Sequence, residues 1–392
     1  MNYVRIPSMI LFLLFSSVVK SFGNDSLLMN KLLHRIDQLQ CKENGVFPKG
    51  MFPSYRTYAL NKQIEKADQN IFFTELIGFT LRDILPQLSG PQQKQASQII
   101  QNTLPIYPKF QNAKGRPTYN FWYTNPPKIL PNAGWLNMFD KSMALPDDMD
   151  CTAIAMLALD ASDATAIQVH SIMQSFTNNG AKKMQSMLAD QRNYGAYSTW
   201  FGKNFPVEFD ICVLANILCF TQRYNIPWTK ADSASLELIE KVVSEKKHIT
   251  NPIDVSPYYS RTPKILYHLA RLMSVKPIAS LEKYRGQFIE EAKTYLASST
   301  NFMDNVILQT SLLKWGVKSS EIKRFKTKSL EELIEVGSFS FFDGDLANKF
   351  SNPLKKWMRR AKLGKFTYEC EGYNNVLLLE YLVWYNKDRK KI

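Results

Sequence analysis

The sequence predicts an all-α fold, an α/α toroid of about six helical hairpins with inner and outer helix rings. Three observations predict it. Nearly all-apolar helical stretches alternate with amphipathic ones, the starts of the apolar stretches repeat Asp or Asn, and the last apolar stretch is left to pair with the first amphipathic one. The apolar stretches are Ile71–Leu85, Cys151–Leu159, Ile211–Phe220, Ile265–Met273, Val306–Trp315 and Val376–Trp384. A helix that is apolar all round is expected to be buried. Their companions are Leu27–Gln40, Ala96–Thr103, Ala164–Leu188, Leu236–Lys246 and Leu281–Leu296. In the last of these Phe288, Ala292 and Tyr295 share one face, while Glu290, Glu291 and Lys293 look away. Pairing Leu27–Gln40 with Val376–Trp384 closes the ring.

The inner-helix starts read Asp68-Gln69-Asn70, Asp148-Met149-Asp150, Glu208-Phe209-Asp210, Asp304-Asn305 and Asn374-Asn375. Asp and Asn are good N-caps because their oxygens satisfy orphan amide donors. The inner N-termini, with their positive dipole ends, are therefore expected at one rim. Gly-x-aromatic turns accompany them, at Gly45-Val46-Phe47, Gly50-Met51-Phe52, Gly195-Ala196-Tyr197, Gly337-Ser338-Phe339 and Gly364-Lys365-Phe366. A Pro- and aromatic-rich insertion from Pro105 to Leu145 carries Tyr119, Phe121, Trp122, Tyr123 and Trp135, and an insertion of this kind is expected to shape a site.

Composition bounds the function. Hydrophobic residues make up 45% and charged residues 21% of the 392, which supplies a large core and excludes a disordered chain. Residues 1–23 read as a signal peptide, with Arg5 before the apolar Ile10 to Val19 and Lys20 after it, so export to a periplasm or beyond is expected. Residues 24–392 then form one toroid domain. Five cysteines, none in a CxxC pair, exclude a disulfide scaffold. A net charge of +14 points to anionic partners such as lipid head groups or acidic glycans. No zinc-finger, helix-turn-helix or RNP-like pattern speaks for nucleic acid. No Gly-rich phosphate loop, HExxH or Gly-x-Ser-x-Gly is present either.

The sharpest motif is Asp148-Met149-Asp150-Cys151-Thr152-Ala153, preceded by Asp147. It resembles the acid motif of class II terpene cyclases: Asp-x-Asp-Asp-Thr-Ala in squalene–hopene cyclases and Asp-Cys-Thr-Ala in oxidosqualene cyclases. Gln191 to Tyr197, followed by Trp200, loosely resembles their Gln-Trp repeat. The resemblance implies that Asp150 is a protonated acid that donates to an alkene or epoxide, with Asp148 or the Cys151 thiol polarising it. It also implies aromatic walls that stabilise a carbocation, for which Trp122, Tyr123, Trp200, Tyr258, Tyr259 and Tyr373 are the candidates. The competing reading of Asp150 is a helix cap, at the repeat position of Asn70, Asp210 and Asn374.

Three further readings stand beside this one. Asp210-Ile211-Cys212 with His268 resembles the zinc ligands of protein prenyltransferase β subunits, but a buried thiol and a packed histidine are the favoured reading, so neither metal nor cofactor is expected. Carboxylates among aromatic rings also describe a glycan site; Asp147, Asp148, Asp150, Glu208, Asp210, Asp343, Asp345, Glu369 and Glu371 lie near rim segments, where a pair serves as acid and base. A non-catalytic toroid that captures lipid or glycan is the non-enzyme reading. Finally, the basic stretch Leu354 to Lys365 carries Leu354, Trp357, Met358 and Ala361 at helical spacing. It is expected either to lie on an anionic membrane or to pack that apolar stripe inward on the ring.

Overall fold

The computed structural model describes residues 25–127, 145–178, 195–202, 207–318, 339–349 and 353–389. The leader-like residues 1–23, Trp135, Gln191 to Tyr194, Gly337-Ser338 and the end of the expected Ala164–Leu188 helix lie outside the described residues.

Helices dominate. In chain order they are α1 (residues 25–39), α2 (Phe72–Ile84), α3 (Gly90–Thr103), α4 (Met149–Leu159), α5 (Asp163–Gln174), α6 (Ile211–Arg223), α7 (Lys230–Ser244), the short α8 (Lys247–Thr250) and α9 (Pro252–Val255), α10 (Thr262–Val275), the short α11 (Ala279–Glu282), α12 (Arg285–Ser298), α13 (Phe302–Lys314), α14 (Leu354–Arg360) and α15 (Glu371–Arg389). Six of them, α2, α4, α6, α10, α13 and α15, are buried on nearly every face, as their apolar sequences require. Each packs on the next: α2 on α4, α4 on α6, α6 on α10, α10 on α13, α13 on α15, and α15 on α2.

The companions bury one stripe. In α7 it is Ala231, Ser235, Leu238, Ile239 and Val242; in α12 it is only Phe288 and Ala292. Helix α3 lies on α2, α7 on α6, and α12 on α13. Arg35 of α1 donates to Glu371 of α15, and Arg389 reaches Asp25 at 3.4 Å, so the first and last described helices meet. One apolar cluster runs from Leu32 to Val383.

The all-α expectation needs correction: the chain is 61% helix and 9% strand. Strands β1 (Tyr55–Tyr58), β2 (Asn61–Ala67), β3 (Phe342–Asp345) and β4 (Lys365–Glu369) form an antiparallel sheet in the order β2-β1-β4-β3. The cause is local. Phe366, Thr367 and Tyr368 favour strand, and the segment alternates apolar and polar with period two. Arg56, Phe342 and Tyr368 are buried on one face. The other face carries one row, Glu65, Thr57, Thr367 and Asp343, aligned across all four strands.

The helix expected through Lys365 stops at Arg360. Lys362 and Gly364 turn the chain at φ 55° and 76°, and a Cβ on Gly364 would lie 2.8 Å from Leu346 Cβ. The orientation of α14 is the reverse of an inward apolar stripe. Lys355 is buried, and Arg359 is bound to Asp254 and Asp345, each at 2.8 Å. Leu354 and Trp357 face outward, 44% and 60% exposed, so the helix shows its apolar side to solvent.

Caps also differ from expectation. Asp148 and Asp210 cap α4 and α6, but Asn301 rather than Asp304 caps α13, α2 has no side-chain cap, and Asn374-Asn375 lie inside α15. Asp68 and Asn70 are instead bonded to each other, and Asp68 also accepts from Arg56. Asp68 spends its oxygens on Arg56, Asn70 and Trp122, and Asn70 spends its NH₂ on Asp68 and Ser54, so neither side chain caps α2.

Candidate functional site

The acid motif begins helix α4, and each residue of it has a separate task. Asp147 faces the preceding loop, accepting from Asn112, Thr118 and Arg116. Asp148 caps the helix: the Cys151 amide donates to its Oδ1 at 2.7 Å. Thr152 donates its hydroxyl to the Asp148 carbonyl and accepts from the Tyr119 amide at 2.9 Å, which pins the insertion to the helix. Asp150 is not a cap. It stands in the first turn and points inward, where Asn216 Nδ2 donates to Oδ1 and the Tyr259 hydroxyl to Oδ2, both at 2.6 Å. The competing cap reading therefore falls to Asp148, two residues earlier.

Carboxylates at the other helix starts hold aromatic side chains by their polar edges. Trp122 donates its indole N–H to Asp68 at 2.9 Å. Glu208 Oε2 accepts from Trp200 at 3.1 Å and from the Tyr258 hydroxyl at 2.6 Å. Asp210 caps α6 and also accepts from Ser256 and the Tyr258 amide, fixing the loop that presents Tyr258 and Tyr259. Buried tryptophan and tyrosine need such partners, and the bond sets which way the ring faces.

These rings line a half-open cavity of about 110 Å³. Asp148, Asp150, Cys151, Trp122, Trp200, Tyr258 and Tyr259 all line it, so the structure brings together all but two of the expected site residues. Tyr123 does not line it; its ring stacks on Phe110 at 4.6 Å. Tyr373 does not either; it sits inside α15, packed on Phe341 at 4.9 Å.

The sequence reading missed Phe72 of α2 and the sheet wall, Phe342 and Tyr368, stacked at 4.8 Å. It also missed the polar residues behind the wall, Glu75, Asn216 and Arg271. Their signal was present: a charged or amide side chain in an otherwise apolar helix must be buried for a reason.

Electrostatics separates the acids. Burial pushes the Asp148 carboxyl up to about 8; the Cys151 amide opposes this, and the nearby Asp150 adds to it. Asp150 is also raised by burial, against the hydrogen bonds of Asn216 and Tyr259 and the charge of Arg271. Glu75 is fully buried, neither of its carboxyl oxygens has a hydrogen-bond partner among the described residues, and burial raises it well above the carboxylate range. The Cys151 thiol is raised by burial as well, so it is no thiolate. Such a site favours a proton on Asp148 at neutral pH beside aromatic rings.

The zinc constellation does not assemble. Asp210 is spent on its cap, Cys212 is buried, and His268 bonds the Lys264 carbonyl and lies 4.3 Å from the Tyr259 ring. Among the described residues no three His, Cys, Asp or Glu side chains are grouped to hold a metal.

A pH dependence follows. Between the ordinary 3.8 and about 8, folded Asp148 keeps a proton that the unfolded chain releases. The folded form binds more protons there, so its stability falls as pH rises through that window. Asp210, pushed up to about 7 by burial, adds the same sign. Thermal unfolding should show a midpoint that drops from about pH 5 to about pH 9. Asp148→Asn, which keeps a capping oxygen, should flatten that slope. An equal slope in the variant would contradict the assignment. Compared with protein-family models, with curated proteins and with solved structures, the chain has no match.

Proposed function

We propose that the six mutually packed buried helices are the inner ring of an α/α toroid, and that the chain is an acid-catalysed enzyme acting on the end of an apolar, isoprenoid-like substrate. One observation carries this reading: a carboxyl that holds its proton at neutral pH, Asp148, opens on a small cavity lined by aromatic rings. An apolar cavity of roughly 150 Å³ holds a benzene ring. A space of about 110 Å³ therefore suits a branched terminal alkene, not a polycycle.

The chemistry balances without a co-reactant. The alkene π pair takes the proton from a carboxyl of the Asp148/Asp150 pair; a C–H bond forms, the O–H bond breaks, and a carbocation faces the new carboxylate. The faces of Trp200 and Phe342 stabilise that cation through their π charge. Loss of a neighbouring C–H proton to the carboxylate gives an isomerised or cyclised alkene and restores the acid. A sugar ring is less well served, because its hydroxyls would lose hydrogen bonds against these walls.

The test is deuterium exchange. Isoprenoid alkenes incubated in heavy water should return carrying deuterium. Labelling should fall about a hundredfold or more when Asp148→Asn and Asp150→Asn are combined. Binding without labelling would make the chain a capture module, and no binding at all would remove the cavity as a site.

We also propose that α14 rests on an anionic membrane. Leu354 and Trp357 face outward beside the exposed Lys356 and Arg360, and Leu346 is exposed on the adjoining turn. An apolar ring among lysines suits the head-group region. Wild-type protein should sediment with vesicles containing phosphatidylglycerol at low salt and less so at high salt. Trp357→Ala with Lys356→Gln and Arg360→Gln should stay in the supernatant, with Lys355 and Arg359 kept for the fold. A wild-type protein that does not sediment would refute the membrane contact.

A further inference from the structure

The buried charges of the helical interior assign the two aspartates different roles. Lys264 pairs with Asp343 at 3.3 Å, Lys314 with Glu380 at 3.0 Å, and Arg56 with Asp68 at 2.7 Å. Arg271 of α10 is as buried as these, with 3% of its surface exposed, but among the described residues it makes no ion pair with a carboxylate and bonds Asn216 instead. Its Nη2 donates to Asn216 Oδ1, its Nε and Nη1 have no hydrogen-bond partner among the described residues, and its Cζ lies 5.3 Å from the centre of the Phe79 ring and 5.5 Å from that of Tyr267. A guanidinium does not give up its proton in a protein. A buried charge of this kind needs a counter-charge.

Asn216 supplies the connection. Its carbonyl oxygen faces the cation and its NH₂ donates to Asp150 Oδ1, so the amide dipole points from cation to carboxylate. The second oxygen of Asp150 accepts from Tyr259. Both donors favour the anion. The other titratable groups that face Asp150 are Glu75 from α2, Asp148 and Cys151 from α4, Asp210 and Cys212 from α6, and Tyr259 before α10. Among the described residues Arg271 is a cation whose charge favours the Asp150 anion, while Glu75 and Asp148 are pushed up chiefly by burial and by neighbouring carboxyls. A positive charge relayed to one carboxyl of a group favours that one as the anion, and neighbouring carboxyls oppose one another's ionisation.

We propose that Arg271, acting through Asn216, holds Asp150 as the resting anion, and that Asp148 is the group that gives its proton to the substrate. Arg271 and Asn216 are positioning residues. Asp150 then faces the developing carbocation as a fixed negative charge, while Asp148 loses its proton to the alkene carbon and regains one when the product forms. Glu75 stays neutral behind the pair. The role in catalysis rests on the reading of the cavity as a protonation site; the ionisation states do not.

Carboxyl-carbon NMR of the full chain labelled at Asp tests the states directly, with signals assigned by Asp148→Asn and Asp150→Asn. At neutral pH the Asp150 carbon should report a carboxylate and the Asp148 carbon a neutral acid that titrates near 8. Arg271→Gln should move the Asp150 titration upward, and Asn216→Leu should do the same if the first variant does not fold. In the exchange assay Asp148→Asn should abolish labelling, and wild-type labelling should decline above pH 8 as the donor loses its proton. A neutral Asp150 in the wild type, or an Asp150 titration unmoved in the folded variants, would overturn the assignment. The expected NMR states without any labelling would leave it standing and refute the proposed function instead.

Discussion

Asp150 is the constraint on which the site depends. Its two oxygens are held by Asn216 of α6 and by Tyr259 on the segment entering α10, while its own backbone belongs to the first turn of α4. One side chain thus joins three of the six buried helices at their starts. Arg271 extends the link along α10. Removing one member of a buried, hydrogen-bonded charge pair costs about 3–5 kcal/mol, because the partner is left uncompensated. The short spacing Asp-x-Asp is explained by this division of labour. The first aspartate satisfies the helix end, and the second is carried round to face the interior.

The rest of the cavity repeats the same device with different partners. Asp68 aims Trp122, and Glu208 aims Trp200 and Tyr258. In each case a carboxylate at the start of a buried helix takes the polar edge of an aromatic ring and turns its face to the cavity. The sheet completes the enclosure. Its alternation places Phe342 and Tyr368 against the cavity, and Thr57 and Thr367 on the opposite polar face, while Asp343 at the edge borders both. Cavity and sheet are therefore consequences of one pattern, and the strands are part of the site as much as the helices are.

Much of this was legible in the sequence, and the remainder was hidden for physical reasons. The six buried helices stood out because apolar runs longer than a turn have few alternatives. Their ends shifted by a few residues, since capping chooses among several Asp and Asn and only geometry decides which oxygen meets an amide. Trp122, Trp200, Tyr258 and Tyr259 gather at the cavity because they lie near the carboxylates of the helix starts. Tyr123 and Tyr373 stand away from it, since an aromatic ring near a motif says nothing about which side it faces. The sheet was missed because Lys365 to Glu369 is short and follows a basic helix whose pattern seemed to continue through it. Arg271 and Asn216 were passed over because they sit in apolar helices, where their long-range partners leave no trace in local spacing.

The central claim is that a terminal alkene sits beside Asp148 within the aromatic cavity. Diffraction from crystals soaked with a short branched alkene addresses it most directly. The account predicts the alkene between Trp200 and Phe342, its double bond toward Asp148, with Asp150 still bonded to Asn216 and Tyr259. An alkene found only in the polar groove lined by Arg261, Lys264 and Lys365, with the cavity unoccupied, would contradict it.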